Sequence, residues 1–400
     1  MVDKPTTVSA PNQLRCSVNA DVVIIGGGVM GASIAFNLAA AGAGSVVLVE
    51  RDVPGSGSTS KAAGGVRCQF SDEVNIALSV RSLEILRDFE SRFGIDIDLV
   101  SNGYLFLLDS PEAASTFAGN VDLQRSLGLD SQMLTVAEVA ALAPYVDTAG
   151  LVAGAFNPGD GHCTPESVVA GYIGAARDRG VTVLTSCEVT GILTKGAAGK
   201  RTITSVETTA GPIACSQVVC AAGAWSGLIG EMAGVDLPVT PLRREIMVSE
   251  PVAFDTSAMP FTIDFATSYY VHPEGPGLLF GCPDAEDRWG FDDRRDPEWL
   301  FRLSELIDRR TPDLADVDIR RGWAGLYEMT PDHNALIGQA RELEGFTYAC
   351  GFSGHGFLMG PAVGEVVADL LTGRTPFVDV SPLDKDRFSL TGLRKELNIV

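Results

Sequence analysis

The sequence predicts an α/β fold organised around a Rossmann-like nucleotide-binding domain, and three observations predict it. Near the start, DVVIIGGGVMGASIAFNLAAAGAGSVVLVE (Asp21 to Glu50) reads as strand, glycine-rich turn, helix, strand and acid. Near the end, FTYACGFSGHGFLMGPAVGEVVADLLTG again reads as strand, glycine-rich loop and helix. Between them, short β patterns alternate with capped helices, and no internal repeat is evident. The 400 residues suffice for one two-lobed unit or a few intertwined domains, and a 46% hydrophobic content supplies a packed core.

In the opening stretch, VVIIGGG is a continuous apolar run, as a parallel strand covered on both faces requires. Gly26, Gly28 and Gly31 make the GxGxxG spacing. Gly26 permits a tight turn, Gly28 lets the backbone approach a pyrophosphate, and Gly31 lets the helix sit close to the strand. Gly42 or Gly44 ends the alanine-rich helix, whose N-terminal amides face the phosphates. Glu50 follows about 20 residues later, where an acid accepts hydrogen bonds from ribose hydroxyls.

The loop RDVPGSGSTSKAAGGVR is too rich in Gly and Ser for regular structure and too long for a plain connector, so it is read as functional. Ser71 is expected to cap a helix running to about Phe93. NGYLFLLD reads as a strand, and Ser110-Pro111 and the capping box Thr135 to Glu138 start further helices. Thr164-Pro165 opens a helix that Gly180 stops, before the strand VTVLTS. A hairpin and a buried strand follow in TITSVETTAGPIACSQVVCAAG. Residues 244–320 mix the strands EIMVSE, SYYVHP and GLLFG with the helix WLFRLSELIDRR.

A simple NAD fold has no need of the second glycine-rich loop. A larger cofactor does: the first site takes the ADP half and the last loop reaches the redox-active half, which favours FAD. Amides of GHGF and a helix expected from Pro361 would stabilise negative charge on reduced flavin.

Charge excludes some classes. Thirty Lys and Arg against 51 Asp and Glu give a net charge of −21, which repels nucleic acid but leaves local arginines free to hold an anionic substrate. No apolar run reaches the roughly 18–20 residues that span a bilayer, and the polar N-terminus lacks a secretory apolar core, so a cytoplasmic location is expected. Eight cysteines without a CxxC pair are read as buried thiols, with no metal site.

Together, VVIIGGGVMGASIAFNLA, GSGSTSKAAGGVR, VVCAAGAWSG, GWAGLYEMTPDHNALIG and GFSGHGFLMGPAVGE resemble the D-amino-acid-oxidase-type FAD oxidoreductases. They are most similar to the branch of the sarcosine oxidase β-subunit, glycine oxidase and dye-linked proline dehydrogenase β-subunit. The resemblance implies a discontinuous FAD-binding domain (19–100, 146–243 and 322–386) and an α+β substrate domain with an antiparallel sheet (101–145 and 244–321). Residues 1–18 and 387–400 are expected as tails.

The resemblance further implies that Glu50 holds the adenosine ribose, that Ser58 and Thr59 approach the pyrophosphate or flavin, and that Met30, Arg51, Ala63 and Gly64 also bind the cofactor. Val189 would contact adenine; Ala222, Gly223 and Trp225 would border the cofactor; Gly354, His355, Gly356 and Phe357 would lie beside the flavin ring. Arg67 matches a substrate-binding arginine, as carboxylate clamp or else as a structural ion pair. Tyr270 either closes the site or is a buried aromatic; His355 either touches flavin or bonds to its own loop; His272 and His333 are weaker candidates.

Some relatives carry a lysine where this chain has Leu358, and another over the flavin where the sequence register places Leu279. Both differences favour a dehydrogenase or a different amine. Lys61 stands near the place of a flavin-linking histidine and AGLYEM lacks the alternative cysteine, so FAD is expected to be non-covalent. The implied activity is C–N oxidation of a secondary, N-alkyl or other small amino acid by hydride transfer to flavin N5, giving an imine. Electrons would pass to oxygen or an accepting partner, such as another subunit of a hetero-oligomer. A flavoenzyme acting on a non-amine, such as a 2-hydroxy acid, and a non-catalytic FAD-bound subunit or assembly factor are the alternatives.

Overall fold

The computed structural model describes residues 18–197, 201–390, 392, 393, 395, 396 and 398. The tail expected over residues 1–18 lies outside these, except that Val18 pairs with Ile213 in a short parallel bridge of strands.

The nucleotide sheet has six strands in the order Leu336–Gln339, Phe346–Cys350, Gln217–Cys220, Val22–Ile25, Val46–Val49, Thr182–Leu184. All neighbours are parallel except the outer pair Leu336–Gln339 and Phe346–Cys350. Val22–Ile25 is buried at every residue because each face has its own cover. Val22 and Ile24 join a core beneath helices Val29–Ala40, Pro165–Asp178 and Gly356–Thr372. Val23 and Ile25 join a second core with the small sheet of Val189–Lys195 and Arg201–Thr208. Alternate side chains therefore enter opposite layers, which explains the unbroken apolar run.

Gly360 and Gly364 bring Gly356–Thr372 tight against Val29–Ala40: a Cβ on Gly360 would lie 2.8 Å from Val29, and one on Gly364 would collide with Ser33 Oγ. Ser33 Oγ donates to the Pro361 carbonyl at 3.2 Å. That last helix begins at Gly356 rather than at Pro361, which lies inside it. Proline removes one amide there, and the next amide, of Ala362, donates to Ser82 Oγ at 3.1 Å.

Eight strands form the large sheet, in the order Ile319–Met329, Thr240–Ser249, Gly277–Cys282, Tyr269–Glu274, Phe261–Asp264, Tyr104–Leu108, Ala153–Asn157, Gln132–Leu134. It is antiparallel but for one parallel pair, Phe261–Asp264 with Tyr104–Leu108. A division by sheet membership thus keeps Ala153–Asn157 and all of Ile319–Met329 with the large sheet. Tyr104, Phe106 and Leu108 face one cluster and Leu105 and Leu107 another, as a pleated strand demands. The helix Pro297–Arg310 packs Trp299, Leu303, Leu306 and Ile307 on the sheet, with Asp296 accepting from the Glu298 amide as its cap.

The helix expected to start from Ser71 is capped by Asp72 instead and runs Glu73–Arg87, followed by a short helix Phe89–Phe93. The Ser71 hydroxyl is otherwise engaged, donating to Glu396 at 2.8 Å. Among the described residues of the tail expected over 387–400, Arg387, Glu396 and Asn398 are buried. Among the described residues no helix is long and apolar enough to cross a membrane.

Candidate active site

The C-terminal edge of the parallel sheet and one face of the large sheet enclose a cavity of about 440 Å³. Both glycine-rich loops border it, together with the Gly/Ser loop after Glu50.

At the nucleotide end, Gly26 has φ +106 and a Cβ there would collide with the Ala221 carbonyl of the neighbouring strand. A Cβ on Gly31 would strike the Gly26 carbonyl, so this glycine sits under the turn and does not line the cavity. Gly28 caps the helix Val29–Ala40 without a side-chain cap, which leaves the N-terminal positive end of the helix directed at the cavity. The Val29 amide donates to Thr59 Oγ1 at 3.1 Å. Glu50 is fixed from both sides, accepting from the Gly27 amide at 2.7 Å and the Asp52 amide at 2.8 Å. Met30, Val189, Ala222 and Gly223 line the wall, and Arg51 lies 4.4 Å over the Trp225 ring. Trp225 stacks on Phe291 at 5.6 Å.

The middle is closed by Ser58, Ala63 and Gly64 on one side and Gly354, His355, Gly356 and Phe357 on the other. Ser58 Oγ donates to the Leu326 carbonyl at 2.7 Å. Lys61 pairs with Asp293 at 2.5 Å, and Trp323 Nε1 donates to the Lys61 carbonyl at 3.1 Å. Gly354 has φ +95, and a Cβ there would come 2.6 Å from the Tyr327 ring. Leu358 lines the cavity, whereas Leu279, placed over the flavin by the sequence register, does not line it and packs behind the wall against Ile246 and Val248.

The far end gathers polar side chains. Arg67 is buried; it donates to the Gln69 carbonyl, to the Asn398 carbonyl at 2.5 Å and to His355 Nε2 at 3.0 Å. A guanidinium only donates, so His355 accepts through Nε2 and carries its proton on Nδ1. Burial, reinforced by Arg67, holds the His355 pKa well below its usual value, so this imidazole is neutral. Burial also lowers the pKa of Arg67, against the opposing pull of Tyr104, Glu396 and Asp160. Tyr270 lines the cavity with Tyr104 and Tyr327, and burial raises the pKa of all three phenols. His272 is buried outside the cavity, its Nδ1 2.7 Å from the Pro273 carbonyl, and His333 does not line it.

Among the lining residues that escaped the sequence reading are Tyr104, Arg244, Tyr327 and Glu328. In PLRREIMVSE, period-two alternation separates Arg244 and Ile246 from Arg243 and Glu245, but only the structure tells which face meets the cavity. Glu328 accepts from the Gly351 amide at 2.8 Å, and burial pushes its carboxyl up to about 7.

The arrangement fits an extended dinucleotide. The positive end of the helix from Val29, where Thr59 meets the first amide, and the glycine turn suit its phosphates, a fixed carboxylate its ribose, and the second loop a further ring system next to a polar chamber. Comparison with known proteins agrees. Residues 21–370 match the family model described as FAD dependent oxidoreductase (DAO). Mouse sarcosine dehydrogenase is 30% identical over 381 residues, covering 92% of this chain but 41% of its own length, so the chain spans less than half of that relative. Glycine oxidase of Geobacillus kaustophilus is 30% identical over 380 residues, covering 93% of this chain and 96% of the relative. The crystal structure of L-proline dehydrogenase from P. horikoshii superposes with a TM-score of 0.87 at 33% identity, covering 95% of this chain and all (100%) of the other. The chain belongs to the DAO family of FAD-dependent oxidoreductases.

Proposed function

We propose that this protein oxidises the C–N bond of a small amino acid, secondary or N-alkylated at nitrogen, to an imine that then hydrolyses. The observation that carries the reading is the chamber where Arg67, Tyr104, Tyr270 and Tyr327 meet the His355 loop at the end of the nucleotide cavity. The named activities of the relatives, sarcosine dehydrogenase, glycine oxidase and L-proline dehydrogenase, point the same way.

Bound FAD would supply the two-electron acceptor for the α-hydride. Glu50, the Gly26–Gly31 turn and the Ser58–Gly64 loop hold the cofactor without a covalent link. Arg67 takes the substrate carboxylate: its guanidinium plane is already fixed by the Gln69 and Asn398 carbonyls, and a bound anion compensates a buried cation. Neutral His355 orients Arg67 and adds no competing charge. Cations near the amine disfavour its ammonium form, so the substrate sheds its proton on binding and no strong side-chain base is required. Tyr270 and Tyr104 shape the chamber and exclude water, and positioning supplies much of the rate. Leu358 supplies no charge where some relatives carry a lysine, which supports a dehydrogenase over an oxidase.

The test is an anaerobic absorbance spectrum of the flavin-loaded protein with N-methyl amino acids, proline, glycine and D-amino acids, repeated in air with peroxide detection. Bleaching by at least one class is expected, with little peroxide. A flavin that stays oxidised with every member ends the amino-acid reading.

A further inference from the structure

Arg67 is not the only arginine in the chamber. Arg243 and Arg244 are adjacent on the strand Thr240–Ser249, and the pleat sends them to opposite faces. Arg243 is fully buried and spends its charge on Glu245 and Asp284. Arg244 turns into the cavity. Its Nη1 donates to the Arg243 carbonyl at 2.9 Å and lies 3.4 Å from a half-exposed Asp287 carboxylate. Its Nε is buried and has no hydrogen-bond partner among the described residues. With the side chain only 18% exposed, this is a desolvated cation with an unused donor.

The surroundings show what it faces. Across the sheet Arg244 pairs with Gly325, which has no side chain, and Lys61 packs over that glycine. Its guanidinium lies 5.4 Å from the centroid of the Tyr327 ring. Tyr327 is within electrostatic reach of both Arg244 and Arg67, while Tyr270 senses Arg244 and Tyr104 senses Arg67. The two cations thus flank Tyr327 in one chamber.

We propose that the substrate carries two carboxylates, and that Arg244 binds the second one while Arg67 binds that of the reacting amino acid. The substrate class is an amino acid bearing a further carboxylate on its side chain or on its N-substituent. This rests on the amino-acid reading above. A protein of net charge −21 repels a dianion in general, so the buried Arg67 and the half-buried Arg244 in one cavity are where such a ligand is recovered.

Anaerobic stopped-flow reduction of the flavin-loaded protein tests it with matched pairs: sarcosine against N-methylaspartate and N-methylglutamate, and glycine against iminodiacetate. The wild type should favour at least one dicarboxylate over its partner by about tenfold to a hundredfold in reduction rate over apparent Kd, the value of a charge-assisted hydrogen bond. Arg244→Met should collapse that ratio towards one, and Arg244→Lys should retain part of it. A wild type that prefers the monocarboxylates overturns the proposal. So does an Arg244→Met protein whose ratio equals that of the wild type, because Arg244 then grips no second carboxylate. Should the Met variant lose its flavin, the wild-type ratio and the Lys variant decide. If sarcosine and glycine reduce the flavin while the dicarboxylates do no better, only the two-carboxylate proposal falls; if no compound reduces it, the amino-acid reading falls too.

Discussion

Gly26→Ala measures how tightly the nucleotide turn is built. Gly26 has φ +106, beyond the small left-handed region that L-residues visit, and a Cβ there would collide with the Ala221 carbonyl and sit 3.0 Å from the Ala222 Cα. Backbone strain costs about 1–3 kcal/mol. Forcing an extra carbon into a packed contact adds about 1–3 kcal/mol. The sum is about 2–6 kcal/mol. Gly42→Ala is the control: φ is +73 and nothing lies within 4 Å of the added carbon, so only a backbone cost of about 1–2 kcal/mol remains. Urea unfolding of both variants gives the two stabilities, and titration with FAD followed by flavin fluorescence gives the affinities. Ala221 and Ala222 line the cavity, so their displacement in Gly26→Ala should also weaken FAD binding by tenfold or more, about 1.4 kcal/mol, whereas Gly42→Ala should leave it near wild type. Equal stability and equal affinity in the two variants would refute the steric account of the turn.

Other outcomes follow from groups described above. Glu328 has a folded-state pKa near 7, above its unfolded value, because burial favours the neutral acid; its stabilising contribution is complete below about pH 4.5 and is lost as pH rises through about 7. Glu328→Gln cannot ionise, so its Tm should fall less steeply than that of the wild type between pH 5 and 8 in paired thermal melts; parallel curves would contradict this. Arg243→Met removes the fully buried partner of Glu245 and Asp284, leaving them the more exposed Arg295 and Arg288, and should cost about 3–5 kcal/mol in urea unfolding. By contrast, Lys61→Ala removes a partly exposed pair with Asp293 and should cost under about 1 kcal/mol by the same measurement.

Much of this was legible in the residues. The strand, turn, helix and acid from Asp21 to Glu50 announce themselves because each local preference agrees with the fold. The same holds for the Ser110 and Thr135 caps, whose side chains accept the amides of Ala113 and Glu138. The Ser71 cap and the Pro361 helix start misled because partners distant in the chain, Glu396 and Ser82, take the groups that local rules assign elsewhere. Arg244 and Tyr327 were hidden for a related reason. Which face of a strand meets a cavity depends on the sheet it joins, and the partner strands of Thr240–Ser249 are Gly277–Cys282 and Ile319–Met329. The last residues carry no motif at all, yet Asn398 closes on Arg67.

The strand order of the nucleotide sheet fixes when this site comes into being during synthesis. Val22–Ile25 emerges before Gln217–Cys220, its neighbour in the sheet, which in turn needs Phe346–Cys350 at its other edge. A nascent chain that stops short of Phe346 therefore exposes an unpaired parallel edge and lacks the Gly354–Leu358 wall of its cavity. Such distant pairings fold slowly. Flavin present as the chain leaves the ribosome can join the last strand and the His355 loop in closing the sheet, which makes cofactor supply a determinant of yield as well as of activity.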